Sequence, residues 1–330
     1  MREQMGEEIK DVGDVEKEKW EPSLELAEGN ELDNVVDATN DLAKKIEGDE
    51  KVTGDDVLKL REALGKMKVN VYGDELTVDE VREMPDFKRD IEDWKEIMKM
   101  PEPQHRGGIN FYRRTGRLTY LPEDVAQRFL DFDKLEKPHK LTDLNLKKVK
   151  RISTKTASLL AKFHFSISLG IEELNTDVAR ELAKHEGHLF LNGLKNIDKE
   201  TAEILCHKEK LVLSGLTNMS LEVAEILSDV PATEIDKKEA FFGINSKVFT
   251  SLELIRVLMR RPGYIVINGY FVVTADVAKE LISHNGSLRI DYLEDISDEA
   301  IEILSKKDDL LVFDASVDSL KRIEGKIKTL

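Results

Sequence analysis

Residues 174–196 read Leu-Asn-Thr-Asp-Val-Ala-Arg-Glu-Leu-Ala-Lys-His-Glu-Gly-His-Leu-Phe-Leu-Asn-Gly-Leu-Lys-Asn, and residues 197–218 run through the same pattern with one residue deleted. An internal period restricts a chain strongly, because each copy must be one small unit that buries its apolar face against the next copy. The phase is marked by Ala157, Ala179, Ala202, Ala224, Ala278 and Ala300, spaced 22, 23, 22, 54 and 22 residues apart. Each unit opens on an apolar residue: Ile152, Leu174, Ile197, Met219, Val273 and Ile296. Most continue with a side chain that can cap a helix, as at Ser153, Asp198, Ser220, Thr274 and Ser297. The alanine and an apolar residue three places on (Leu160, Leu182, Leu205, Leu227, Leu281, Ile303) then share one face of a short helix.

Helix ends are expected at His185-Glu186-Gly187 and His284-Asn285-Gly286, with His164 and His207 at similar points. There an imidazole can bond the last free carbonyls and a glycine can take the left-handed C-cap. Alternating stretches follow: Leu189-Phe190-Leu191-Asn192-Gly193-Leu194, Leu211-Val212-Leu213-Ser214-Gly215-Leu216, Ile265-Val266-Ile267-Asn268-Gly269-Tyr270 and Leu288-Arg289-Ile290-Asp291-Tyr292-Leu293. These read as short strands of period two. Copies in one orientation make a parallel sheet with helices on its other side, so the expected class is α/β and the expected form a curved solenoid.

The units resemble leucine-rich repeats of the bacterial style, in which an LxLxGL strand precedes a short helix opening on Ser or Asp. The resemblance covers residues 141–330 and implies parallel strands on a concave face and helices outside. Gly193, Gly215 and Gly269 stand where that family more often places an Asn or Cys ladder, so a continuous asparagine ladder is not carried over. Phase is lost between Asp229 and Val248, where Val230-Pro231-Ala232-Thr233 interrupts the fourth unit, and 229–248 reads as an irregular insertion. Leu121-Pro122-Glu123-Asp124-Val125-Ala126 with Phe129 carries the helix half of the motif and is expected to cap the array; the tail from Val317 to Leu330 is expected to cap its other end.

The 330 residues hold 50 Lys and Arg against 66 Asp and Glu, a formal charge of −16. Residues 1–100 contribute 30 acidic and 16 basic side chains, so nearly all the acidity lies in the first third. That balance argues against general binding to nucleic acid or anionic membrane. No apolar run approaches the ~18 residues of a membrane span. The opening residues carry no secretory apolar core, and Cys206 is the chain's one cysteine, so a cytoplasmic location without disulfides is expected.

Residues 1–30 read as an acidic flexible tail and 31–100 as an acidic helical domain. Its first helix is expected around Val35, Val36, Leu42, Ala43 and Ile46, and a second over Asp55–Leu64. A capping box at Thr77-Val78-Asp79-Glu80 opens another, and a further helix begins at Pro85-Asp86 and carries Ile91, Trp94, Ile97 and Met98. Pro101-Glu102-Pro103 starts a linker and N-terminal cap over 101–140. Arg106, Arg113, Arg114 and Arg117 beside Phe111 and Tyr112 suit phosphates and bases, or a surface loop returning to the acidic helices; the second reading is preferred.

Two candidate surfaces emerge. If the alternate leucines of each strand face the core, Phe190, Val212, Val266, Arg289 and Val312 line the opposite face as a largely apolar column, with Asn192, Ser214, Asn268, Asp291 and Asp314 beside it. Apolar columns of this kind mark partner-binding surfaces. The second is a basic block of Lys134, Lys137, Lys140, Lys147, Lys148, Lys150, Arg151 and Lys155, suited either to nucleic-acid phosphates or to docking of the acidic N-terminal domain. Metal binding by the helix-end histidines is disfavoured because no acidic or cysteine partner recurs with them. The chain shows no Walker loop, GxSxG elbow, HExxH or CxxC, and Cys206-His207 are adjacent in sequence rather than matched in space. The expectation is a non-enzymatic adaptor or regulatory subunit without cofactor that binds a partner protein through Phe190 and its column; the alternative is a nucleic-acid-binding accessory protein using Lys147, Lys148, Lys150 and Arg151.

Overall fold

The computed structural model describes residues 37–38, 40–41, 44–45, 54–71, 73–84, 86–99, 114–133, 143–230 and 240–329. The expected tail 1–30, most of the first helix, the linker from Pro101 through Arg113, Lys134, Lys137 and Lys140, and the middle of the insertion at 231–239 lie outside them.

The chain is α/β, built on nine parallel strands: β3 (Asp143–Leu146), β4 (Ser166–Leu169), β5 (Leu189–Leu191), β6 (Lys210–Leu213), β7 (Phe241–Asn245), β8 (Tyr264–Val273), β9 (Leu288–Ile296), β10 (Leu310–Val312) and β11 (Lys328–Thr329). They lie side by side in chain order, so each interior strand bonds to the one before and the one after. Nine helices accompany them: α4 (Glu123–Asp133), α5 (Thr154–Leu160), α6 (Thr176–Ala183), α7 (Lys199–Leu205), α8 (Leu221–Ser228), α9 (Leu252–Leu258), α10 (Ala275–Ile282), α11 (Asp298–Leu304) and, closing the series, α12 (Val317–Ile323). Consecutive helices pack against each other in the same order. Leu144, Ile167, Leu189, Leu211, Phe242, Ile265, Leu288 and Leu310 fall in one register across the sheet and join the helix faces in a single core. Each such side chain contributes about 1.5–3 kcal/mol by leaving water.

Side-chain caps start the helices where expected: Ser153, Asp198, Ser220, Thr274 and Ser297 each accept a backbone N–H of the first turn, as does Asn175. Two further caps, Ser251 and Ser316, belong to units the alanine phase did not mark. From Ser220 to Ser251 the step is 31 residues where its neighbours are 22 and 23, so the gap of 54 holds one long unit and one ordinary unit. The last phase mark moves by one residue. Ile301, not Ala300, bonds back to the Ser297 carbonyl as Ala157 does to Ser153, and Leu304 rather than Ile303 completes the buried face.

The expected left-handed glycines at the helix ends are not found. Positive φ occurs at Gly73, Gly263, Gly269 and Gly325, while Gly187 and Gly286 are needed for space: a Cβ there would strike the carbonyls of Phe165 and Gly263 in the preceding unit. A basic or imidazole side chain caps the preceding unit instead. His284 sets its ring nitrogens 3.0 Å from the carbonyls of Met259 and Gly263, Lys208 donates to Gly187 at 2.8 Å and Lys307 to His284 at 2.7 Å. His164 and His207 are exposed; it is Lys208, one residue on, that turns inward.

The N-terminal region holds α1 (Gly54–Lys66), α2 (Val78–Arg82) and α3 (Phe87–Lys99), and also an unexpected antiparallel hairpin, β1 (Lys68–Val71) with β2 (Asp74–Thr77). Gly73, at φ 92°, makes its turn. The capping box at Thr77 and Glu80 is complete. Helix α3 buries Asp90, Asp93, Trp94 and Ile97. Asp90 accepts from the amides of Thr119 and Tyr120 and the Thr119 hydroxyl, Trp94 donates to the Tyr120 carbonyl at 3.2 Å, and Tyr120 bridges to Arg151 beside β3. The N-terminal elements thereby share the core of the sheet. Among the described residues no helix is long and apolar enough to cross a membrane.

Candidate functional site

Side chains of a strand alternate between faces, so whatever stands between the core leucines points away from the helices. The register sets Ser168, Phe190, Val212, Gly243, Val266, Arg289 and Leu311 in one row across that outer face. Phe190, Val212, Val266 and Arg289 are thus brought together as expected. Val312 is not: it pairs with Ile290, is 1% exposed and belongs to the core, and Leu311 takes its place. Leu310-Leu311-Val312 is apolar throughout, so alternation cannot select its phase, and a slip of one residue reverses every side chain.

The row is not an open apolar stripe. Val212 and Val266 are each 4% exposed although neither belongs to the helix-side core. Between them stands Gly243, and the Val212 methyls and Asn268 amide lean over its Cα. Accessible apolar surface lies one pleat toward the strand starts, where Lys210, Phe241 and Tyr264 share a register. His188 stacks on Phe190 at 5.9 Å and meets Phe241 edge-on at 5.0 Å, and Phe241 meets Tyr264 edge-on at 5.4 Å. His188 and Tyr264 stand two positions before Phe190 and Val266 of the expected column, whereas Phe241 lies in the stretch where phase is lost and has no such signal.

The polar positions Asn192, Ser214, Asn268 and Asp291 are half-buried rather than fully exposed, and Asp314 is exposed. Asn245, not expected, joins them opposite Asn268 and donates to the Ser214 carbonyl at 2.7 Å. Arg289 donates to Asp291 at 2.6 Å while its guanidinium lies 4.2 Å over the Phe313 ring. Such a face offers aromatic contact area, amide hydrogen bonds and a pre-paired cation.

The basic block is dispersed in the described residues. Lys150 meets Glu172 at 2.6 Å, Arg151 meets Glu80 at 3.1 Å and Glu83 at 3.8 Å, and Lys155 meets Glu123 at 3.3 Å. Hydrogen bonds from Thr77, with Arg151 adding to them, hold Glu80 below the usual carboxylate range, and Lys150 does the same for Glu172. Lys147 and Lys148 are exposed. Arg114 and Arg117 close on the buried Asp93 at 2.9 and 2.6 Å, as a loop returning to the acidic helices would. Cys206 is buried, its thiol donating to the Glu203 carbonyl at 3.1 Å. Among the described residues no group of three or more His, Cys, Asp or Glu gathers to hold a metal.

Searches against protein-family models, curated proteins and solved structures found no match to this chain.

Proposed function

We propose that the chain is a cytoplasmic, non-enzymatic adaptor or regulatory subunit, a leucine-rich-repeat-like solenoid that binds a partner protein through its concave, helix-free sheet face. The observation that carries this reading is the aromatic line His188, Phe190, Phe241 and Tyr264 on a face that stands apart from the helix-side core. Aromatic side chains supply large contact area at small entropic cost, which is why they dominate protein interfaces. The nucleic-acid reading stands second, because among the described residues of the block Lys150 and Arg151 are engaged with carboxylates, and Lys147 and Lys148 are two charges against a phosphate backbone.

The test is affinity capture from native lysate at moderate and high salt, comparing wild type with Phe190→Asp/Tyr264→Asp. The expected result is a protein held at high salt by wild type and lost by the variant. Material that leaves with salt or with nuclease treatment, and is indifferent to the variant, would transfer the function to the basic block.

A further inference from the structure

Beyond the strand ends the two halves of the array differ. After Asn192 and Ser214 the next residues are Gly193 and Gly215, pressed against the carbonyls of the preceding unit. After the long unit the strands run on instead, past Asn268-Gly269 and Asp291 to Tyr270 and Tyr292, partners across β8 and β9, with rings edge to face at 4.6 Å and Tyr270 70% exposed. Of the seven large apolar side chains exposed among the described residues, three fall on these strands or just beyond β10, Tyr270, Val272 and Phe313, and two more, Val317 and Leu320, on the closing helix α12. The border is acidic. Asp295 pairs in register with Val272, and Leu293 bridges to Ala315, which sets Glu294 and Asp314 beside the same strands. Arg289 is already matched by Asp291, and Arg322 is shared between Asp295 and Asp298. Glu294 and Asp314 are exposed and form no ion pair with any described residue.

We propose that this tyrosine patch docks a basic segment of the partner protein, an aromatic or aliphatic anchor flanked by Lys or Arg. The inference rests on the partner-binding reading above and narrows it to one end of the array and one chemistry. The tyrosines and Phe313 accept the anchor by contact area, and the exposed carboxylates of Glu294 and Asp314 select its flanks by charge, attracting Lys or Arg and repelling an acidic segment.

Random short peptides displayed in a library are selected on the intact protein, and an enriched peptide is titrated by fluorescence anisotropy. It is titrated against wild type, Tyr270→Ser/Tyr292→Ser, Glu294→Lys/Asp314→Lys and His188→Ser/Phe190→Ser, each first confirmed as folded by its thermal melt. The expected peptides are rich in Lys and Arg around one apolar residue. They bind the tyrosine variant about tenfold more weakly or worse, lose affinity for the lysine variant and in high salt, and bind the His188 variant unchanged. Peptides that need His188 and Phe190 but not the tyrosines would overturn the placement while leaving the adaptor reading in force. Acidic or uncharged peptides would overturn the chemistry, and absence of any enriched peptide, or self-association that the tyrosine variant abolishes, would overturn the proposal itself.

Discussion

Arg261 shows how one side chain holds an irregular array together. It stands ten residues after the cap Ser251, the position that His185, Lys208, His284 and Lys307 occupy after Asn175, Asp198, Thr274 and Ser297. In the unit capped by Ser220 the same place falls on Val230, which has no donor to offer. Arg261 reaches past it, donating to Leu227 and also to Cys206 at 3.2 Å and Lys208 at 3.0 Å, while its guanidinium lies 4.5 Å over Phe242. Burial lowers its pKa to about 10, so it stays charged at neutral pH. Arg261→Met leaves those buried carbonyls without a donor and is expected to cost about 3 kcal/mol in urea unfolding, with Arg261→Lys recovering part; a loss no larger than a surface substitution's would contradict this role. His185 makes a pH prediction. It is 1% exposed, facing the carbonyls of Ala161, Phe163 and Phe165 without closing a well-formed hydrogen bond, and burial first, with Lys208 second, lowers its pKa to about 4. The unfolded chain therefore takes up this proton first. The stability carried by the neutral ring is full above about pH 6.5 and drains away toward pH 4. At pH 5 wild type should have lost about 2 kcal/mol more than His185→Gln, as measured by denaturant titration at each pH; parallel curves would contradict it.

At the level of elements, the close stacking of units is set by glycine. A Cβ on Gly193 would overlap the Gly170 carbonyl, and one on Gly215 the Asn192 carbonyl, so the backbones of successive units approach directly at these residues. Gly193→Ala is expected to destabilise by about 1–3 kcal/mol, read as a lower thermal midpoint, whereas Ser214→Ala on the equivalent turn of the next unit should change little. Helices and their caps were legible because a cap, an apolar face and a period agreed with one another. Strands were legible where apolar and polar residues alternate, as in Leu189-Phe190-Leu191, and illegible where they do not, as in Leu310-Leu311-Val312. The hairpin of β1 and β2 was hidden by length. Its strands have four residues each inside a helical, strongly charged region, and its signal was the alternation of Val69 and Val71 before Tyr72-Gly73. Half of the candidate surface followed from the pleat alone, but its openness did not. That Val212 and Val266 are closed over Gly243 depends on which residue a neighbouring strand, out of phase in sequence, sets between them.

For the molecule as a whole, strand order equal to chain order means that contacts are made mainly between neighbouring units. The acidic N-terminal region spends part of its charge at this boundary, through Glu80 and Glu83 on Arg151 and Asp93 on Arg114 and Arg117. One face of the sheet is then occupied by helices and core, and the other carries the aromatic line and the tyrosine patch. The most direct test of the claim that this second face is the working surface is site-specific photo-crosslinking in the native cell. A benzophenone side chain is placed at Tyr264 on the sheet face in one sample and at Glu203 on the outside of α7 in another. A discrete crosslinked protein from Tyr264 and none from Glu203 is the result expected. The same partner captured from Glu203, with nothing from Tyr264, would place the interface on the helices and contradict the account.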